Sequence, residues 1–212
     1  MSNLHFETVS AKQLELLEKL GNLNLGKLLG GTALSLQIGH RKSYDLDFVT
    51  QEKIGADLVK KVQQVLKNFD LSQRLLSESQ YTAFADEVKI TFFQDEAPLL
   101  HNPQDFENFS LVNIKDIFSS KLYVIGRRAT WRDYVDVAIC LEQSVCSLKE
   151  AVEESVARYQ INQRWILDPL TFFDDLEMTP IEWVGKEYSD SQIKDIIIKN
   201  VKEYLQNRLS KK

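Results

Sequence analysis

The chain has 212 residues, 43% hydrophobic and 27% charged, with 26 Lys and Arg against 31 Asp and Glu for a net charge of −5. That balance suits one globular domain with an appendage, or two small domains, and excludes a protein that grips polyanions with its whole surface. No apolar run approaches the roughly 20 residues of a membrane span, so no membrane association is expected. The start, Met-Ser-Asn-Leu-His-Phe-Glu, lacks the regions of a secretory signal. Cys140 and Cys146 are too few for a disulfide framework, which predicts a cytoplasmic location.

Ser10 with Gln13 reads as a capping box that opens a helix carrying Leu14, Leu17 and Leu20, with Gly21 as its stop. Residues 27–29 read as a short strand, 32–38 as a helix ended by Gly39, and 44–50 as a strand. Leu58, Val62, Val65, Leu66 and Phe69 recur at helical spacing within residues 54–69. Residues 71–77, 80–85 and 87–94 read as a meander of strands with a turn at Ala85-Asp86-Glu87. After a loop punctuated by Pro98 and Pro103 the pattern turns helical. Asn113 caps a helix over 114–126, another covers 132–142, and Ser147 with Glu150 caps a third that reaches Tyr159. Trp165, Phe172, Phe173 and Trp183 form an aromatic segment that reads as a small packed core or as a surface for stacking RNA bases. A last helix opens at Asp190 or Ser191, with Ile193, Ile196, Ile197, Val201 and Leu205 on its apolar side. Arg208, Lys211 and Lys212 read as charge compensation at its end. Together these elements predict an α+β domain over residues 1–97 and a mainly helical C-terminal domain over 98–212.

The chemistry concentrates between Gly30 and Phe48. Gly30-Gly31-Thr32 opens a helix, and Asp45-x-Asp47 follows on a strand. Alternate residues of a strand share a face, so Asp45 and Asp47 point the same way while Leu46 and Phe48 point into the core. Adjacent carboxylates repel and are tolerated when a hard cation sits between them, with substrate phosphates completing its shell. Backbone N–H groups at a helix start attract anions, and glycines allow a triphosphate to approach them. The plainer readings are an exposed strand end for Asp45 and Asp47, and a tight turn with Thr32 as N-cap. Arg41 suits either a phosphate or a brace for the carboxylates, and Ser43 suits a cap that orients the turn. Residues 21–28 imitate a P-loop, G-x-x-x-x-G-K, but Leu28 stands where that motif needs Ser or Thr, and the segment follows a helix instead of a strand.

The stretch through Gly30, Gly31, Thr32, Leu34, His40, Arg41, Ser43, Asp45, Asp47 and Phe48 resembles the signature of the nucleotidyltransferase AbiEii/AbiGii toxin family, a branch of the polymerase-beta-like nucleotidyltransferases. Weaker similarity continues at Lys121-Leu122 and Arg132-Asp133-x-x-Asp136-Val137. The resemblance implies a nucleotidyltransferase-like mixed sheet flanked by helices. It also implies a metal-dependent transfer of a nucleoside monophosphate from an NTP to a hydroxyl. Asp45 and Asp47 would hold Mg²⁺ or Mn²⁺; Gly30, Gly31, Thr32, Arg41, Ser43 and Lys121 would bind the nucleotide. Lys121, Asp133 and Asp136 would join the two aspartates as catalytic residues. A toxin role follows from the same resemblance, with tRNA or protein as acceptor and a cognate antitoxin as partner. Thr91 stands where the superfamily places a third carboxylate. That departure keeps open a degenerate nucleotide-binding protein, or a protein- or RNA-interaction module, beside the enzyme.

Overall fold

A computed structural model describes residues 4–209, so Lys211 and Lys212 of the terminal basic group lie outside the described residues. The chain divides into two compact units, one holding the residues up to Pro98 with Asn102–Asn113, the other Leu99–His101 and the residues from Ile114 on.

The first unit contains α1 (Ala11–Gly21), β1 (Lys27–Leu29), α2 (Gly30–Ile38), β2 (Leu46–Thr50), α3 (Ala56–Val65), β3 (Leu71–Leu76), β4 (Gln80–Ala85), β5 (Val88–Gln94), β6 (Gln104–Asp105) and β7 (Ser110–Leu111). Its strands form one seven-stranded sheet in the order β3-β4-β5-β2-β1-β7-β6. β2 is central, antiparallel to β1 and parallel to β5, which makes the sheet mixed and bears out the expected α+β class. Phe48 of β2 and Phe92 of β5 are in register and stack with ring centroids 4.7 Å apart, on the face opposite the carboxylates. α1 opens on the predicted capping box: Gln13 N donates to Ser10 Oγ at 3.1 Å and Ser10 N donates to Gln13 Oε1 at 3.0 Å.

Residues 102–113, which a boundary at residue 97 assigns to the helical part, return to this sheet. Leu111 pairs with Leu28 in parallel register, and Val112 N donates to the Leu28 carbonyl at 2.9 Å. Two-residue strands carry no alternation, so periodicity leaves no trace of them. Gly21–Lys27 joins a helix to the strand β1, the reverse of the order a P-loop requires.

The second unit holds α4 (Ile114–Arg127), α5 (Trp131–Glu142), α6 (Leu148–Tyr159), α7 (Arg164–Leu167) and α8 (Asp190–Leu209). The box that starts α6 forms as predicted, and the hydrogen bonds from Ser147 N–H and hydroxyl hold the Glu150 carboxyl below its ordinary range. α8 opens at Asp190, the first of the two expected starts, with Ser189 as its cap. Gln192 N donates to Ser189 Oγ at 3.3 Å and Ser189 N donates to Gln192 Oε1 at 2.8 Å. Ile193, Ile197 and Val201 are buried, whereas Leu205, expected on the same apolar side, is exposed. The aromatic segment divides: Trp165 and Phe172 are exposed, while Phe173 meets the buried Tyr134 at 5.6 Å. A buried polar network without a signature in the sequence centres on Asp116. Its carboxylate accepts from Leu100 N and His101 N at 2.9 Å each, and Arg158 Nη1 donates to its carbonyl at 2.7 Å and to Ser119 Oγ at 2.7 Å.

Both cysteines are free. Burial pushes the Cys140 thiol well above its ordinary range, and burial with the nearby Glu154 and Glu150 pushes Cys146 up to about 11. Neither thiol is a nucleophile at neutral pH. Among the described residues no helix is long and apolar enough to cross a membrane.

Candidate functional site

β1 passes directly into α2 at Gly30, whose φ of +77° lies in the left-handed region where a side chain is strained. In the sheet, Leu29 stands opposite Asp47. A Cβ on Gly30 would lie 3.2 Å from Asp47 Oδ2, so glycine serves both the backbone angle and the close approach of the carboxylate. Gly31 is tighter still: a Cβ there would stand 2.6 Å from Arg41 Nη2 and 3.2 Å from Ser43 Oγ. α2 begins two residues earlier than the sequence pattern indicates, with Leu29 as N-cap and no side-chain cap. Gly30, Gly31 and Thr32 therefore occupy its first turn, where N–H groups have no helical partner and the helix dipole favours an anion.

Thr32 is a strut of the loop before β2. Its hydroxyl shares hydrogen bonds with Ser43 Oγ at 2.8 Å and with the Asp45 carbonyl. Gln13 Nε2 donates to the Ser43 carbonyl at 2.8 Å, and Ser43 N donates to the Thr8 carbonyl at 3.0 Å. Arg41 Nη1 donates to the Lys42 carbonyl at 2.9 Å. Thr32, His40, Arg41 and Ser43 are all buried. These bonds fix the loop that delivers Asp45 to the start of β2. Gln13, known from sequence only as a capping residue, contributes to that framework.

Asp45 ends the loop and Asp47 is the second residue of β2. Across the parallel pair, Asp47 is in register with Thr91, so the two side chains emerge on one face. Lys89 lies two residues before Thr91 on that face, and its Nζ stands 3.8 Å from Asp45 Oδ2, which brings Asp45 to the same side. With side chains 39% and 48% exposed, the Lys89–Asp45 pair contributes little to stability; its importance is where it puts charge. Thr91 is 5% exposed, and its Oγ1 has no hydrogen-bond partner among the described residues. Leaving a buried hydroxyl unpaired costs about 1–3 kcal/mol, which makes Thr91 an unusual place to spend stability. Among the described residues no group of three or more His, Cys, Asp or Glu is placed to hold a metal. The donor set of this corner is two carboxylates and a hydroxyl, all hard oxygen ligands of the kind Mg²⁺ and Mn²⁺ take.

In the helical unit the structure brings together the other predicted residues. Lys121 Nζ lies 2.7 Å from Asp133 Oδ1 and 2.7 Å from Asp136 Oδ2, with all three side chains at most 10% exposed. Thr130 Oγ1 donates to Asp133 Oδ2 at 2.7 Å. Both aspartates thus hold the lysine. Lys121 is buried, whereas Arg128 lies exposed beyond the end of α4. A cleft of about 750 Å³ between α6 and α8, lined by Leu148, Val152, Val156 and Tyr204 among others, contains none of these residues.

The family described as nucleotidyl transferase AbiEii toxin, of the type IV TA (toxin–antitoxin) system, matches residues 28–204, a span that covers both the Gly30–Asp47 corner and the Lys121 cluster. The chain belongs to this family. It is accordingly a nucleotidyltransferase. An uncharacterised protein of Aquifex aeolicus (strain VF5) is 29% identical over 202 residues, covering 92% of this chain and 97% of that one. Among solved structures, JHP933 from Helicobacter pylori superposes with a TM-score of 0.55 at 18% identity, over 95% of this chain and 97% of that chain. MenT4, a nucleotidyltransferase toxin from Mycobacterium tuberculosis H37Rv, superposes with a TM-score of 0.59 at 13% identity, over 89% and 80%. At these identities the two structures speak for a common fold. For this AbiEii-family chain the family match also covers Thr32, Arg41 and Ser43, which the structure occupies with loop bonding.

Proposed function

We propose that the corner formed by the β1–α2 turn and β2 binds an NTP together with Mg²⁺ or Mn²⁺ and transfers its nucleoside monophosphate to a hydroxyl. The observation that carries this reading is the packing of Gly30 against Asp47: a carboxylate stands beside a helix start that has no side-chain cap. Asp45 and Asp47 would hold the cation, which when bound supplies Lewis-acid polarisation of the phosphates. The N–H groups of Gly30 and Gly31 face an anion without the obstruction of a Cβ, and suit the triphosphate. Arg41, packed against Gly31, contributes positive charge behind that turn. Thr32 and Ser43 act by shaping the loop, and their hydroxyls are not needed on phosphate.

In the reaction the acceptor oxygen attacks the α-phosphorus. A new P–O bond forms, the bond from the α-phosphorus to the bridging oxygen of the β-phosphate breaks, and pyrophosphate leaves; the acceptor's proton passes to solvent. Little covalent chemistry is asked of the protein, because positioning and charge dominate such transfers. We propose catalytic roles for Lys121, Asp133 and Asp136 as well. Acceptor hydroxyls on an RNA 3′ end, such as tRNA, or on a protein side chain fit the reaction, and a cognate antitoxin in the same cytoplasm fits the family.

The test incubates the protein with each of the four α-³²P-labelled NTPs, with Mg²⁺ or Mn²⁺, and with total RNA or total protein. Label is expected in one acceptor class, and chelation by EDTA removes it. Nucleotide binding without transfer under all these conditions would replace the enzyme by the degenerate binding protein that Thr91 keeps in view.

A further inference from the structure

The face that carries Asp45 and Asp47 has a buried polar atom that no described residue bonds. Thr91 Oγ1 is buried and has no hydrogen-bond partner among the described residues. It stands in register with Asp47 on one side and with Thr82 on the other, and the Thr82 hydroxyl is engaged by Gln80 Nε2 at 2.9 Å. Lys89, on the same face, stands 3.8 Å from Asp45 Oδ2. The charged side chains at this corner are two negative, Asp45 and Asp47, and two positive, Lys89 beside Asp45 and Arg41 behind the Gly31 turn. Thr91 adds a neutral oxygen.

That inventory differs from what two divalent cations require. Two such ions about 3.5–4 Å apart repel, and enzymes that use them surround them with carboxylates. Here two carboxylates face two cationic side chains, so the corner has no surplus of negative side-chain charge to hold a second dication. A hydroxyl is an adequate neutral ligand for a cation that two carboxylates already hold, as the Ser or Thr of a P-loop shows. It is a poor sole protein ligand for a second. We infer that this corner is a one-cation site in which Thr91 Oγ1 is the third protein ligand and Lys89 supplies the positive charge that a second cation would otherwise bring. The inference rests on the nucleotidyltransferase reading of the corner and adds to it the stoichiometry and the third ligand.

The experiment titrates Mn²⁺ alone into the full-length protein and follows the free ion by electron paramagnetic resonance. One tight site per chain is expected, and Asp47→Asn removes it. Thr91→Val weakens it by at least about tenfold, while Thr91→Ser retains it. Thr91→Val melts at or above the wild-type temperature, because it removes a buried hydroxyl that has no partner. Thr91→Asp, which restores a third carboxylate, adds a second Mn²⁺. Two wild-type sites of similar affinity, or a Thr91→Val protein that binds as the wild type does, overturns the one-cation assignment and leaves the transferase reading standing. Wild-type binding that Asp47→Asn does not change, or no binding at all, overturns both.

Discussion

Asp47→Asn loses nucleotide transfer by at least about a thousandfold while the protein stays folded. A thousandfold is roughly 4 kcal/mol of transition-state stabilisation, within the several kcal/mol a correctly held cation supplies. Asparagine keeps the shape that packs beside Gly30, where a Cβ would already be 3.2 Å from Oδ2. The change therefore removes charge with little disturbance of the turn. Initial rates at saturating NTP, with circular dichroism and melting as controls, measure it. A folded variant within tenfold of wild type would mean that this carboxylate does not hold the ion.

Lys121→Met destabilises the protein by about 3–5 kcal/mol, because it leaves Asp133 and Asp136 facing each other in a buried site without their cation. For a chain of this size that is a fall in melting temperature on the order of 10 °C. The second variant is Lys121→Met with Asp136→Asn. Removing one of the two opposed charges recovers part of the loss, since residues in one network couple instead of adding. Equilibrium denaturation of the two single variants and the double variant gives the coupling. Additive losses would show that Lys121 and Asp136 act independently and that their 2.7 Å contact carries no energy. NTP affinity, measured well below the melting transition, separates the structural role of Lys121 from the substrate role that the family implies.

What was legible in the sequence was local chemistry. Ser10 with Gln13 and Ser147 with Glu150 announce two helix starts because a hydroxyl and an acid or amide three residues on satisfy the same open N–H groups. The resemblance placed Thr91 where a third carboxylate is expected, and β5 holds it in register with Asp47. Ser189, Asp190 and Ser191 can each cap a helix, and the partner Gln192 chooses Ser189, so that the helix opens at Asp190. Thr32 reads as an N-cap because it follows two glycines, yet the left-handed Gly30 starts the helix before it. Pairings across the fold leave no local trace. Nothing in the spacing of Lys89 and Asp45, or of Asp116 and Arg158, says that they meet. The short strands β6 and β7 are held by their neighbours and not by any pattern of their own.

In the proposed site, Asp45 and Asp47 hold a divalent ion beneath a triphosphate that lies on the Gly30–Gly31 turn. Crystals grown with Mn²⁺ and a non-hydrolysable NTP analogue test it most directly through the anomalous signal of manganese. The expected result is a peak within about 2.0–2.6 Å of carboxylate oxygens from both aspartates, with phosphate oxygens on the N–H groups of Gly30 and Gly31. Manganese and nucleotide bound together at a different place, with this corner filled by solvent, would contradict it.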